Sequence, residues 1–147
     1  MAADEREAAD AFATRWWREA QDDLFAGIAL SAKQRAGVDA ILAEAADERA
    51  RIFELTAILE APGEEDAEPK ARARAELEAL NGRRVASGRI DMMRELLSED
   101  QQTLFDRNRR LRSDRIFAKQ KQRHERAAER RSRGGSGAKA ERQEPAR

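Results

Sequence analysis

The sequence predicts an all-α fold, an elongated antiparallel helical hairpin with four main helices. Three observations predict it. Ala, Glu, Lys, Leu and Arg make up 88 of the 147 residues, well over the half that marks long helices and coiled coils. The pattern Leu-Ser-x-x-Gln occurs twice, at Leu30-Ser31-Ala32-Lys33-Gln34 and at Leu97-Ser98-Glu99-Asp100-Gln101, each where a long helix should begin. Between the two copies, apolar residues recur at spacings of three and four, as on one face of a helix. Leu, Ile, Val and Phe together number only 24, about 16% of the chain, under the roughly 20% below which a globular core becomes doubtful. The seam is therefore expected to be narrow. A second copy would cover apolar surface that one leaves wet, so a homodimer is expected.

The length fits one domain, which we divide into an N-terminal amphipathic helix and connector (1–30), a hairpin core (31–118), a basic helical extension (119–133) and a disordered tail (134–147). The first helix is expected over 4–25, with Phe12, Trp16, Leu24 and Phe25 as its larger apolar groups. Trp16 and Trp17 point about 100° apart on a helix. One ring can dock on the main body while the other stays partly exposed, and the pair serves either as an anchor or as a grip on a partner. Ser31 opens the second helix, running to about Glu60. A Ser followed three residues later by Gln is a capping box, in which hydroxyl and carboxamide satisfy each other's backbone N–H groups. Val38, Leu42, Ala45, Ile52 and Leu59 form its stripe, widened by Ile41, Leu55 and Ile58, with Arg49 and Thr56 interrupting the seam.

Ala61-Pro62-Gly63 stops that helix, and Glu64 to Glu68 form an acidic loop. Pro69 suits the first turn of the third helix, where its missing N–H costs nothing; this helix is expected from about Lys70 to Leu96. Two stripes overlap in it, Leu77–Leu80–Arg84–Val85–Gly88–Met92–Leu96 and Ala86–Ile90–Met93–Leu97. Gly82 and Gly88 each cost about 1 kcal/mol relative to Ala and signal a bend, a close contact or local softness. Ser98 opens the last helix, with Glu99 and Asp100 at the positive end of its dipole. Leu104, Phe105, Leu111, Ile116 and Phe117 supply its apolar contacts, and Arg133-Gly134-Gly135-Ser136-Gly137 is expected to break it.

Charge is polarised although the net charge is zero. Residues 1–66 carry 16 acidic and 7 basic side chains, giving −9, whereas residues 106–133 carry 12 basic and 4 acidic ones, giving +8. Such a dipole favours contact between opposite ends, within a chain or across a dimer. There is no Cys, no Tyr and a single His, His124. Disulfides, thiol catalysis and Cys-based zinc sites are excluded, no catalytic or metal-ligating set is assigned, and no cofactor is expected. No run of about 18 apolar residues offers a membrane span. The first residues lack the layout of a secretory signal, so the chain is either cytoplasmic or a mature form whose export segment has been removed.

The paired motifs resemble those of the Spy/CpxP family of bacterial envelope proteins, which carry two Leu-Thr-x-x-Gln motifs. Ser stands for Thr in both copies here, which keeps the capping hydroxyl. The stretch Met92-Met93-Arg94-Glu95-Leu96-Leu97-Ser98-Glu99-Asp100-Gln101-Gln102-Thr103-Leu104-Phe105 is similar to the surroundings of the family's second copy, and the resemblance covers roughly residues 22–117. It implies a cradle-shaped antiparallel dimer in the periplasm that holds unfolded or partly folded proteins without ATP on a face mixing apolar and basic groups. It also implies a role in envelope stress response through a sensor kinase, and metal sensing in some relatives. Leu30, Ser31, Gln34, Leu97, Ser98 and Gln101 are then the motif residues, and Arg83, Arg84, Arg89, Met92 and Met93 the candidate client-binding residues. The chain departs from some relatives in lacking Met-rich and His-rich stretches, and in its long basic extension from Arg107 through Arg133.

The rival from another class is nucleic-acid binding through the basic run Arg107–Arg112 and Lys119–Arg133, which could track phosphates. Zero net charge and an acidic N-terminal half oppose it, and no recognised nucleic-acid motif accompanies the run. Enzymatic activity is not expected.

Overall fold

The computed structural model describes residues 3–83 and 86–140, and their side chains except those of 82–87 and 135–140. The chain is all-helical, with five helices and no strand among the described residues: α1 (Ala3–Leu24), α2 (Ala32–Glu60), α3 (Glu68–Arg83), α4 (Ala86–Glu95) and α5 (Glu99–Ala140). The expected third helix is thus described as two, α3 and α4; Arg84 and Val85 lie outside the described residues. By packing the chain divides into two units, Met1–Asn108 and Arg109–Arg147.

In the first unit, the end of α1, the start of α2, α4 and the start of α5 share one core. Leu24, Val38, Met93 and Phe105 are almost wholly buried there, joined by Ala20, Ile41, Ile90 and Leu97, with Trp16, Trp17, Phe25, Ile28, Leu30 and Leu42 packed around them. Phe25 and Phe105 meet in a tilted pair with centroids 5.5 Å apart. Of the two stripes expected in residues 70–97, the one through Ile90, Met93 and Leu97 faces this core, whereas Met92 and Leu96 are exposed.

Residue pairs between α2 and the later helices advance along one as they recede along the other. Gln34 bonds to Leu96, Glu48 pairs with Arg89, and Arg51 pairs with Glu76 at 2.7 Å. The Arg51–Glu76 fork uses two parallel N–H···O bonds, which hold the Glu76 carboxyl below its ordinary value. Leu55, Ala73 and Lys70 are buried near the α2–α3 turn, and Lys70 Nζ reaches the Gly63 carbonyl at 3.4 Å.

The connectors are closed by specific residues. Gly27, at φ +74°, takes the left-handed conformation that a side chain would strain. The carbonyls of Leu24 and Ala26, left over at the end of α1, accept from Asn108 Nδ2 at 3.0 and 2.9 Å. Across the α4–α5 corner, Arg94 makes a two-pronged pair with Asp106 at 2.7 and 2.9 Å.

The second unit is the remainder of α5. It is helical to Ala140, so the break expected at Gly134 is corrected: the helix runs through Gly134-Gly135-Ser136-Gly137. Residues 141–147 lie outside the described residues. Leu111 and Phe117 are exposed in this unit. No helix among the described residues is long and apolar enough to cross a membrane.

Candidate functional site

The two repeated motifs meet. Ser31 precedes α2 with an extended backbone, its hydroxyl accepting from the Gln34 N–H at 3.1 Å while Gln34 Oε1 accepts from the Ser31 N–H at 3.0 Å. Ser98 and Gln101 repeat the arrangement before α5, at 3.4 and 2.9 Å. The carboxamides then cross. Gln34 Nε2 donates to Gln101 Oε1 at 2.7 Å and to the Leu96 carbonyl at 3.1 Å, while Gln101 Nε2 donates to Gln34 Oε1 at 3.3 Å and to the Ala29 carbonyl at 3.1 Å. Each carboxamide therefore uses both its donors and both its acceptor sites. Each motif does to the other what the other does to it, a reciprocal clasp that fixes the mouths of α2 and α5 against each other. Leu30 is half-buried and Leu97 buried beneath it. Gln102 adds bonds from its amide nitrogen to the carbonyls of Arg94 and Leu97 at 3.2 and 3.3 Å.

Farther along α1 the packing opens. A cavity of about 420 Å³ lies between α1, α2 and α4, walled by Phe12, Trp16, Trp17 and Phe53 and bordered by Arg49 and Arg89. That volume falls within the usual range for ligand pockets, as does the mixture of aromatic wall and few polar groups. Trp16 and Trp17 stand edge to face at 4.8 Å, both half-buried. Arg6 sits over the Phe53 ring at 5.5 Å. Phe12, 61% exposed, forms the outer lip.

Two arginines border the cavity itself, and they are engaged differently. Arg89 pairs with Glu48, both about six-sevenths buried. Arg49 is 16% exposed, and its Nε stands 3.8 Å from Asp10 Oδ1, too far for a hydrogen bond. That Nε is buried and has no hydrogen-bond partner, a condition that costs about 1–3 kcal/mol for an ordinary donor. The Arg89–Glu48 pair also borders a second cavity of about 510 Å³, which reaches Glu44, Asp47, Leu80 and Met92.

The five client-binding candidates fare unequally. Arg89 and Met92, the latter 44% exposed, border these cavities. Met93 is corrected: at 0% exposure it is a core residue, because it belongs to the stripe that faces α1 and α5. The side chain of Arg83 and the whole of Arg84 lie outside the described residues. Phe12, Phe53 and Arg49 were not among the candidates, although Arg49 interrupting the α2 stripe was a visible signal. Among the described residues no three His, Asp or Glu side chains gather as a metal would need. No family model matches the chain, and neither a curated protein nor a solved structure is significantly similar to it.

Proposed function

We propose that this chain is an ATP-independent holdase of the bacterial envelope, resembling the Spy/CpxP proteins, that works as a cradle-shaped dimer of antiparallel hairpins. The observation that carries the reading is the open aromatic groove flanked by arginines, joined to a fully satisfied clasp at the repeated motifs. A holdase must bind many partly folded chains weakly and release them without nucleotide. An accessible aromatic wall gives apolar attraction with little side-chain ordering, and nearby cations draw in acidic unfolded segments. The clasp supports the family resemblance, because it gives both copies of the motif a shared structural task. Action on a sensor kinase would use the same surfaces.

The test is an aggregation assay. The purified full chain should suppress aggregation of a chemically unfolded client without ATP, and Phe53→Ala should weaken the suppression severalfold. Failure to suppress, together with salt-sensitive binding of a labelled duplex, would replace this reading with the nucleic-acid one. Cell fractionation tests the envelope location separately.

A further inference from the structure

Building on the holdase reading, we infer that the α1–α2–α4 groove selects client segments in which an aromatic or branched apolar side chain stands beside an Asp or Glu, and that Arg49 reads the carboxylate. An aromatic wall alone has no preference among charged neighbours. Selectivity must come from a polar group whose bonding the client completes. Arg89 does not qualify, since Glu48 already takes its guanidinium. Arg49 does: it borders the cavity with 16% of its side chain exposed, and its ionic neighbour Asp10 lies at 3.8 Å, beyond hydrogen-bond distance, with a half-exposed side chain on α1, so the open edge of the guanidinium is left for a client carboxylate. A client carboxylate entering beside Arg49 forms a charge-assisted bond in a partly desolvated site, where such bonds are strongest. The neighbouring apolar side chain occupies the cavity of about 420 Å³ between Trp16 and Phe53. A Gln in the same place offers a weaker, neutral acceptor, and a Lys brings a second cation.

Trp16 and Trp17 are the only tryptophans in the chain, and both line the groove, so intrinsic emission reports occupancy. The probes are three end-blocked peptides with the same Leu-Phe-Leu centre, flanked by Glu, by Gln or by Lys, titrated into the full chain at low salt. The Glu peptide should bind about tenfold or more tightly than the Gln peptide, the usual worth of a hydrogen bond to a charged group, and the Lys peptide should bind most weakly. R49Q should remove the Glu advantage, R49K should retain part of it, and R51Q, which alters an exposed cation of the same helix, should preserve the full order. Should R49Q lose its helical circular dichroism, the peptide order on the wild type and on R49K decides the matter.

Equal binding of Glu and Gln peptides, absence of binding, or a Glu preference surviving in a folded R49Q would each overturn the inference. So would Trp emission that follows the protein's own concentration and resists every peptide, which would mean that a second copy fills the groove. If client aggregation is suppressed while the peptide order is lost, this inference fails and the holdase reading stands. If the peptide order holds without suppression, the groove is selective and the holdase reading fails.

Discussion

The motif clasp and the aromatic groove sit in the same unit and share α2, yet their polar groups end in opposite states. At the clasp, the Gln34 and Gln101 carboxamides are saturated by each other, by their own capping serines and by the Ala29 and Leu96 carbonyls. Directly associated with it, Leu24, Val38, Met93 and Phe105 have almost no exposed surface. In the groove a buried arginine donor goes unfilled and a phenylalanine stands 61% exposed. Stability is concentrated at one end and unmet bonding capacity at the other. The contrast teaches that a chain with few large apolar residues need not spread them evenly. It can satisfy one end fully and leave the other incomplete for a partner.

The largest expected effect separates two phenylalanines. Phe105→Ala removes a wholly buried ring from the clasp-side core and should cost about 3–5 kcal/mol in denaturant unfolding. Phe12→Ala, at the groove lip, should stay within about 0.5 kcal/mol while weakening client holding. Comparable losses of stability would erase the contrast.

Gln34→Glu comes next. A carboxylate there has no N–H to give the Leu96 carbonyl or Gln101 Oε1, and leaves both acceptors facing negative charge. A loss of about 1–3 kcal/mol is expected, partly recovered as acid protonates the new side chain. A double-mutant cycle of Gln34→Ala with Gln101→Ala should be non-additive by at least about 0.5 kcal/mol, since the two act as one network.

Gly27→Ala tests the turn that delivers α1 to the clasp. Its φ of +74° is strained for any side chain, while the new methyl would meet only Leu104 Cδ2 at an ordinary 3.6 Å. The cost should therefore be backbone strain alone, about 1–2 kcal/mol, with the groove's peptide binding unchanged.

The smallest effect concerns pH. The Arg51 guanidinium hydrogen-bonds Glu76 and lowers its carboxyl pKa from the ordinary 4.5. A group depressed on folding stabilises the fold above its unfolded value and loses that contribution as pH falls through its folded value. Site-resolved NMR should find Glu76 titrating below 4.5, and R51Q should return it to the ordinary range. Both partners are solvent-accessible, so the global stability change should be slight.

Much of this fold was legible because its signals are local. Two capping boxes, a Pro-Gly stop after Glu60 and helical spacing of apolar residues mark α2 and α5 without reference to tertiary structure. The clasp itself was only half legible. A capping box uses the Gln carbonyl oxygen locally, and nothing in five residues says that the amide nitrogen will cross to a motif 67 positions away. Met92 and Met93 show the same limit from another side. Two stripes overlapped there, and only packing against α1 and α5 decided that Met93 goes inward. The Gly-rich segment after Arg133 carried a propensity argument for a break, yet α5 continues to Ala140. The groove was least legible, since it is assembled from α1, α2 and α4: the Trp16-Trp17 pair read equally as an anchor or a grip, and Phe53 stood outside the expected α2 stripe.

Native-state hydrogen exchange, with and without a chemically unfolded client, tests the division of labour most directly. The account predicts that the Gln34 and Gln101 amides exchange only through global unfolding and are indifferent to client. It predicts that the α1 amides from Phe12 to Trp17 open locally and slow markedly when client is added. Uniform protection of both regions, or client-dependent slowing in α5 beyond Arg109 with none in α1, would contradict it.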